Sequence, residues 1–241
     1  MVAVAAAALA TGCPTAHTLQ PARALGVGNG QVEVELGAQA LPVRSAYLEP
    51  LRGNFVTETT GHVDLSFRHG LAPRTDGFLR FGTSGLELGL KQEFAARGWF
   101  AVGAAGSLRG RLDVVEGNYG GMPEHFENEL LDGIASLILE MRPWDALALI
   151  VAPKAIGSLL LGQTPPTCAQ PPCAGGGNPA RFDYGITAGA MLRFGPHFVL
   201  MPELALLRPL RAASWIDEHR PAITATLAIG WTGQTLWPSE D

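Results

Sequence analysis

The sequence predicts an all-β fold: a closed antiparallel up-and-down transmembrane β-barrel of about ten strands, within a range of roughly eight to ten. Three observations lead there. Apolar and polar residues alternate with period two in segment after segment, as strands with two unlike faces require. Short turns and long connections alternate between those segments. The polar faces carry charges of both signs, which fits a polar interior inside an apolar exterior better than a soluble sandwich.

The strands follow in order. The first runs from about Gln31 to Leu41, with Val32, Val34 and Leu36 opposite Gln31, Glu33 and Glu35. The second, His62 to Gly70, sets Val63, Leu65 and Phe67 against His62, Asp64, Ser66 and Arg68. After a turn over 72–77, the stretch Phe78 to Phe94 is too long for one strand and is broken by Gly82-Thr-Ser-Gly85, so it reads as a hairpin. Its second arm has Leu86, Leu88 and Leu90 opposite Glu87, Lys91 and Glu93. Trp99 to Arg111 comes next, then Leu130 to Arg142, Ala146 to Leu160, Phe182 to Arg193, Phe198 to Leu207 and Ala222 to Trp231. In the Phe182 strand, Phe182, Tyr184, Ile186, Ala188, Ala190 and Leu192 share one face, and Asp183, Thr187, Gly189 and Arg193 the other. Pro202 falls inside a strand, where its missing N–H predicts a bulge.

Connections at 71–77, 95–98, 143–145 and 195–197 are short. Those at about 42–58, 112–128, 161–181 and 209–220 are long, with 82–85 as the one short member of that set. Phe94, Trp99, Phe100, Trp144, Phe194, Phe198 and Trp231 cluster on the short-turn side, where one interfacial girdle belongs. Ten strands put both ends of the barrel on that same side.

Composition agrees and excludes other classes. Hydrophobic residues make up 47% and charged residues only 16% of the 241 positions, enough apolar content to close a small barrel in one domain. The net charge of -5 and the lack of any basic run argue against a nucleic-acid partner. No stretch of 18 or more apolar residues occurs, so a membrane-spanning reading requires a closed barrel.

Met1 to Ala10 is apolar and Ala-rich and ends at Ala10-Thr11-Gly12-Cys13, the setting of a bacterial lipoprotein cleavage site with Cys13 as the lipidated residue. The charged n-region of a signal peptide is missing, and Leu9 sits one place early. Cys168 and Cys173 lie five apart in a Pro- and Gly-rich stretch and read as a local disulfide, which needs an oxidising compartment. The expected division is a signal peptide over 1–12, a linker over 13–30 that is lipid-anchored if Cys13 is modified, the barrel over 31–233 and a polar tail over 234–241. The glycines 26, 28 and 30 precede a strand and so do not form a dinucleotide loop.

Ala10 to Cys13 followed by these strand and turn patterns resembles the small outer-membrane β-barrel proteins of Gram-negative bacteria. The resemblance covers about Gln31 to Trp231 and is one of pattern. It implies location in the outer membrane, with the short turns periplasmic. Members of that class serve as anchors, adhesins, narrow pores, assembly factors or lipid-modifying enzymes, so membership does not select a function.

The faces predicted to point inward carry Glu33, Glu35, Asp64, Glu87, Glu93, Asp132, Glu140, Asp183 and Glu203, against Arg68, Arg80, Lys91, Arg109, Arg111, Lys154 and Arg193. In a lumen this narrow they should pair, because a buried unpaired charge costs several kcal/mol. His62, Asp64 and Ser66 share a face, but residues four apart on a strand are separated by about 13 Å, far beyond the reach of a catalytic Ser–His pair. Glu124, His125, Glu127 and Glu129 gather in what reads as a loop and offer oxygens to a divalent cation, at a spacing that matches no standard site.

The expected role is non-catalytic: structural work or surface recognition through the connections at 42–58, 112–128 and 161–181, above a lumen filled by side chains. The expected partners are outer-membrane lipid and an extracellular ligand; no cofactor is called for. Three alternatives are a narrow pore, an outer-membrane lipid hydrolase, and a lipid-anchored periplasmic barrel with Leu131, Leu137 and Leu139 lining an apolar cavity.

Overall fold

In the computed structural model, residues 20–44, 55–119, 122–163, 180–211 and 221–234 are described. They form ten strands: β1 (Asn29–Arg44), β2 (Phe55–Ala72), β3 (Thr75–Gly82), β4 (Gly85–Arg97), β5 (Phe100–Tyr119), β6 (Met122–Trp144), β7 (Leu147–Gln163), β8 (Ala180–Phe194), β9 (Phe198–Arg211) and β10 (Ala222–Gln234). Each strand pairs antiparallel with its neighbours in sequence, and β1 pairs with β10 to close the barrel. Leu36 meets Leu227 across that seam. Closure satisfies the backbone groups that an open sheet would leave bare in lipid.

Alternation sets the two faces. Val34, Leu36, Val63, Leu86, Leu88, Leu90, Leu137, Ile223 and Ile229 point outward and are exposed. Their sequence neighbours Glu35, Asp64, Glu87, Lys91 and Thr224 are buried in the lumen. The inverted, soluble barrel is thereby excluded. Leu137 is exposed and Leu131 and Leu139 are half-exposed on the outer face, so they line no cavity. Phe94, Trp99, Phe100, Trp144, Phe194, Phe198 and Trp231 are all exposed at the short-turn end. Trp99 packs edge-on against Phe100, and His197 stacks on Trp231.

Several strands are longer than the apolar pattern predicts. The stretch 112–128 is not a loop. β5 and β6 continue through it as a two-stranded hairpin that closes from Tyr119 to Met122. β4 ends its pairing with β5 at Leu86 opposite Gly110, and β7 reaches only as far as Asn128 opposite Gln163. On the β4 side the hairpin therefore continues for nine residues past Gly110, roughly 30 Å at about 3.3 Å per residue. Glu124, His125, Glu127 and Glu129 belong to strand β6, so the expected ligand-bearing loop does not exist. The 42–58 connection is likewise shortened, because Pro42 to Arg44 pair with Phe55 to Thr57. The turn expected over 72–77 tightens to Pro73-Arg74, since Thr75 already pairs with Ala72.

The bulge expected at Pro202 is absent. Pro202 faces Leu227 in unbroken register on β10, and the β8 ladder resumes at Leu192 opposite Leu200 in the register it had at Gly189 opposite Glu203. Proline removes a donor without adding a residue, so the ladder skips here and does not shift. The register shift on β9 lies at its other proline, between Pro209 and Arg211.

Cys13, Cys168 and Cys173 lie outside the described residues, as do the segment 1–19, the connections 45–54, 164–179 and 212–220, and the end of the chain over 235–241.

Candidate functional site

The chemistry of this barrel is concentrated in its lumen. Two unlike walls enclose it. On β1 to β5 the inward positions carry Gln31, Glu35, Asp64, Arg68, Arg80, Glu87, Lys91, Arg109 and Arg111, all buried. On β6 to β10 they are mostly apolar: Ile138, Ile150, Ala152, Met191, Val199, Met201 and Ala228 form one buried cluster, and Ile134, Ile156, Ala205, Leu207 and Ala222 a second.

Cross-strand register explains the pairing of charges. Arg80 faces Glu87, Glu87 faces Arg109, and Arg109 faces Asp132, so signs alternate along one ribbon of partners from β3 to β6. Opposite charges directly across a ladder attract at side-chain range. Arg80 bonds Glu87 at 2.9 Å and reaches Glu35 at 3.2 Å. Arg109 and Arg111 both hold Asp132, at 2.7 Å and 2.8 Å. Glu33 accepts from Ser66 Oγ at 3.2 Å and from Gln31. Lys154 and Asp183 are buried on β7 and β8, and Glu203 lines a cavity of about 10 Å³ with Glu33, Glu35 and Arg80. That is room for a single water. Arg193, expected in the lumen, is instead exposed at the short-turn end of β8.

His62, Asp64 and Ser66 each turn to a different partner. His62 Nε2 lies 3.4 Å from Thr226 Oγ1, Asp64 Oδ1 accepts from the Ser84 amide at 3.0 Å, and Ser66 donates to Glu33. None of these three contacts joins His62, Asp64 and Ser66 to one another.

The expected linker does something the sequence does not reveal. Gln20 to Gly28 does not hang free; it folds back into the short-turn mouth and packs inside the barrel. Gly26 and Gly28 have φ of 83° and 79°, left-handed values that glycine reaches without strain. They turn the chain from β1 into the lumen, and a Cβ on Gly70 would overlap the carbonyl of Gly26. Three successive amides then meet three lumen carboxylates. Arg23 N donates to Glu140 at 3.1 Å, Ala24 N to Glu93 at 2.8 Å and Leu25 N to Asp76 at 3.0 Å. From the other side, Lys91 Nζ donates to the carbonyls of Pro21 at 2.8 Å and Arg23 at 2.6 Å. Ala22 is fully buried within the apolar cluster of the opposite wall. The Arg23 guanidinium bonds the Gly98 carbonyl and lies 3.4 Å from Glu140, which also accepts from Arg142 at 2.8 Å. The only sequence signal for this insertion is the pair of glycines before β1.

No family model matches this chain, and no curated protein matches it in sequence. Solved structures do resemble it. An outer membrane channel from Pseudomonas putida F1 is 12% identical with a TM-score of 0.46, over 90% of this chain and 100% of that one. The outer membrane protease OmpT from Escherichia coli is 10% identical with a TM-score of 0.45, over 86% and 97%. Ail, the attachment invasion locus protein of Yersinia pestis, is 12% identical with a TM-score of 0.37, over 86% and 99%. Likeness at this level transfers no activity from any of them. In architecture, the chain is a closed ten-stranded antiparallel up-and-down barrel.

Proposed function

We propose that this protein is a non-catalytic outer-membrane β-barrel of Gram-negative bacteria, with a closed lumen and a structural or surface-recognition role. The observation that carries the closed lumen is the seating of Gln20 to Gly28 among Asp76, Glu93, Glu140 and Lys91. Outer-membrane lipid covers the apolar belt and fills the outer furrow of about 1350 Å³ along Val32, Phe67, Leu79, Leu88 and Leu108. Recognition falls to the long-connection side, and above all to the β5–β6 hairpin. Between Leu112 and Asn128 it carries Asp113, Glu116, Glu124 and Glu127 and no Lys or Arg, which suits a cationic ligand. Cys13 as a lipid anchor and Cys168 with Cys173 as a disulfide complete the reading.

Two measurements test it. The protein should fractionate with the outer membrane and migrate differently on a detergent gel before and after boiling. In planar bilayers the wild-type chain should stay silent. Large stepwise currents would sink the closed lumen. Release by high salt, with no heat-dependent shift, would sink the membrane assignment.

A further inference from the structure

We propose that the short-turn mouth of the barrel is a binding site for an extended peptide, and that Gln20 to Gly28 is its exchangeable intramolecular ligand. The proposal rests on the closed-lumen reading above and goes beyond it, because a seat that recognises main chain accepts more than one chain.

The contacts define what the seat reads. Three consecutive amides go to three different carboxylates on β6, β4 and β3, and two carbonyls go to one ammonium on β4. These bonds are made by peptide groups that every residue except proline supplies in full. They hold an extended backbone whatever its side chains are. This is the logic of strand addition, in which main-chain bonds provide affinity and a few side-chain pockets provide selection. Here two positions select. Ala22 is fully buried in the apolar cluster that also holds Ala101, Ile138 and Val199, a setting that favours a small apolar side chain. Arg23 follows it and meets Glu140 and the Gly98 carbonyl, which calls for a cation. The ligand is therefore an extended peptide carrying a small apolar residue followed by Arg or Lys, presented from the short-turn side by another polypeptide.

The seat is built to exchange its occupant. Among the described residues, the occupying segment is continuous with the barrel through Gly26 to Asn29 and is not a strand of the sheet. A cis segment on so short a tether has an effective concentration of about millimolar, so a partner at high local concentration competes with it.

The test uses the full-length chain. Ala22→Asp with Arg23→Glu places two carboxylates against Glu140 and the apolar niche, which ejects the segment while leaving every barrel strand unchanged. Heat-dependent gel mobility confirms that the barrel has formed. The expected result is that a fluorescent synthetic peptide spanning residues 20–28 of the natural sequence binds this variant saturably and binds the wild type at least ~10-fold more weakly, the equivalent of ~1.4 kcal/mol. The same peptide with Arg23→Glu should lose affinity for the variant by a similar factor. A folded variant that does not bind the natural peptide would overturn the seat while leaving the closed lumen standing. If the variant does not fold, Leu25→Cys in a chain whose natural cysteines are serine reads the same exchange. Its thiol should react faster in the presence of excess natural peptide, and a rate that does not move overturns the proposal. Currents from the wild type itself would instead sink the closed-lumen reading.

Discussion

Lys91 and Asp76 face each other across β3 and β4, with the ammonium 2.7 Å from the carboxylate and neither side chain exposed. The two remaining N–H groups of Lys91 go to the carbonyls of Pro21 and Arg23, so all three ammonium donors are used. One side chain thus joins the barrel wall to the segment inside it.

Replacing Lys91 by Met should destabilise the folded barrel by about 3–5 kcal/mol, because it strips Asp76 of its nearest cation in a buried setting. Denaturant unfolding in detergent micelles reads the loss. Lys91→Met with Asp76→Asn should cost less than the sum of the two single changes, and strict additivity would show that the pair is not coupled.

Asp132 holds two guanidiniums, from Arg109 and Arg111, through the same oxygen. Asp132→Asn should therefore cost more than Arg111→Leu, which leaves the Arg109 pair intact. The expected order is about 3–5 kcal/mol for the first and clearly less for the second. Equal costs would mean that Arg111 carries as much of the cluster as Asp132.

The outward face predicts a depth dependence. Leu90 lies midway along β4 and Phe94 near its short-turn end, both exposed. In lipid vesicles Leu90→Arg should cost about 2–4 kcal/mol and Phe94→Arg about 0–1 kcal/mol. Similar small costs at both positions would mean that no hydrocarbon layer covers Leu90.

Gly37 faces His62 across β1 and β2, and a Cβ at Gly37 would overlap the imidazole and crowd the Ala225 carbonyl. Gly37→Ala should destabilise by about 1–3 kcal/mol. His62→Ala in the same chain should recover part of that loss, but not all, because the Ala225 carbonyl belongs to the backbone. Full recovery would place the whole conflict on the imidazole.

The order of ten strands, their inner and outer faces and the short-turn girdle were legible because a strand's period is local. Val34 and Glu35 point to opposite sides for reasons contained in their own backbone. The membrane reinforces the signal by demanding apolar side chains on every second residue. Where that demand stops, the signal stops. Beyond Leu112 neither face of the β5–β6 hairpin has to be apolar, so the stretch reads as a loop although its backbone pairs through to Tyr119. Pro202 shows the same limit from the other side. Its missing donor is visible in the sequence, but only the register of β8 and β10 decides between a skipped bond and a bulge.

By itself, then, the sequence determined which strand faces are apolar, which charges share the lumen apart from Arg193, and where the short turns fall. Tertiary structure alone decided which charge meets which, because Arg80, Glu87, Arg109 and Asp132 become neighbours only when the registers of four strands combine. It also decided that Gln20 to Gly28 fills the mouth. That segment has no periodicity to read, and its partners Asp76, Glu93 and Glu140 lie 51, 69 and 117 residues away. A contact between main-chain amides and distant carboxylates leaves no trace in the residues that supply the amides, since any residue but proline offers the same N–H.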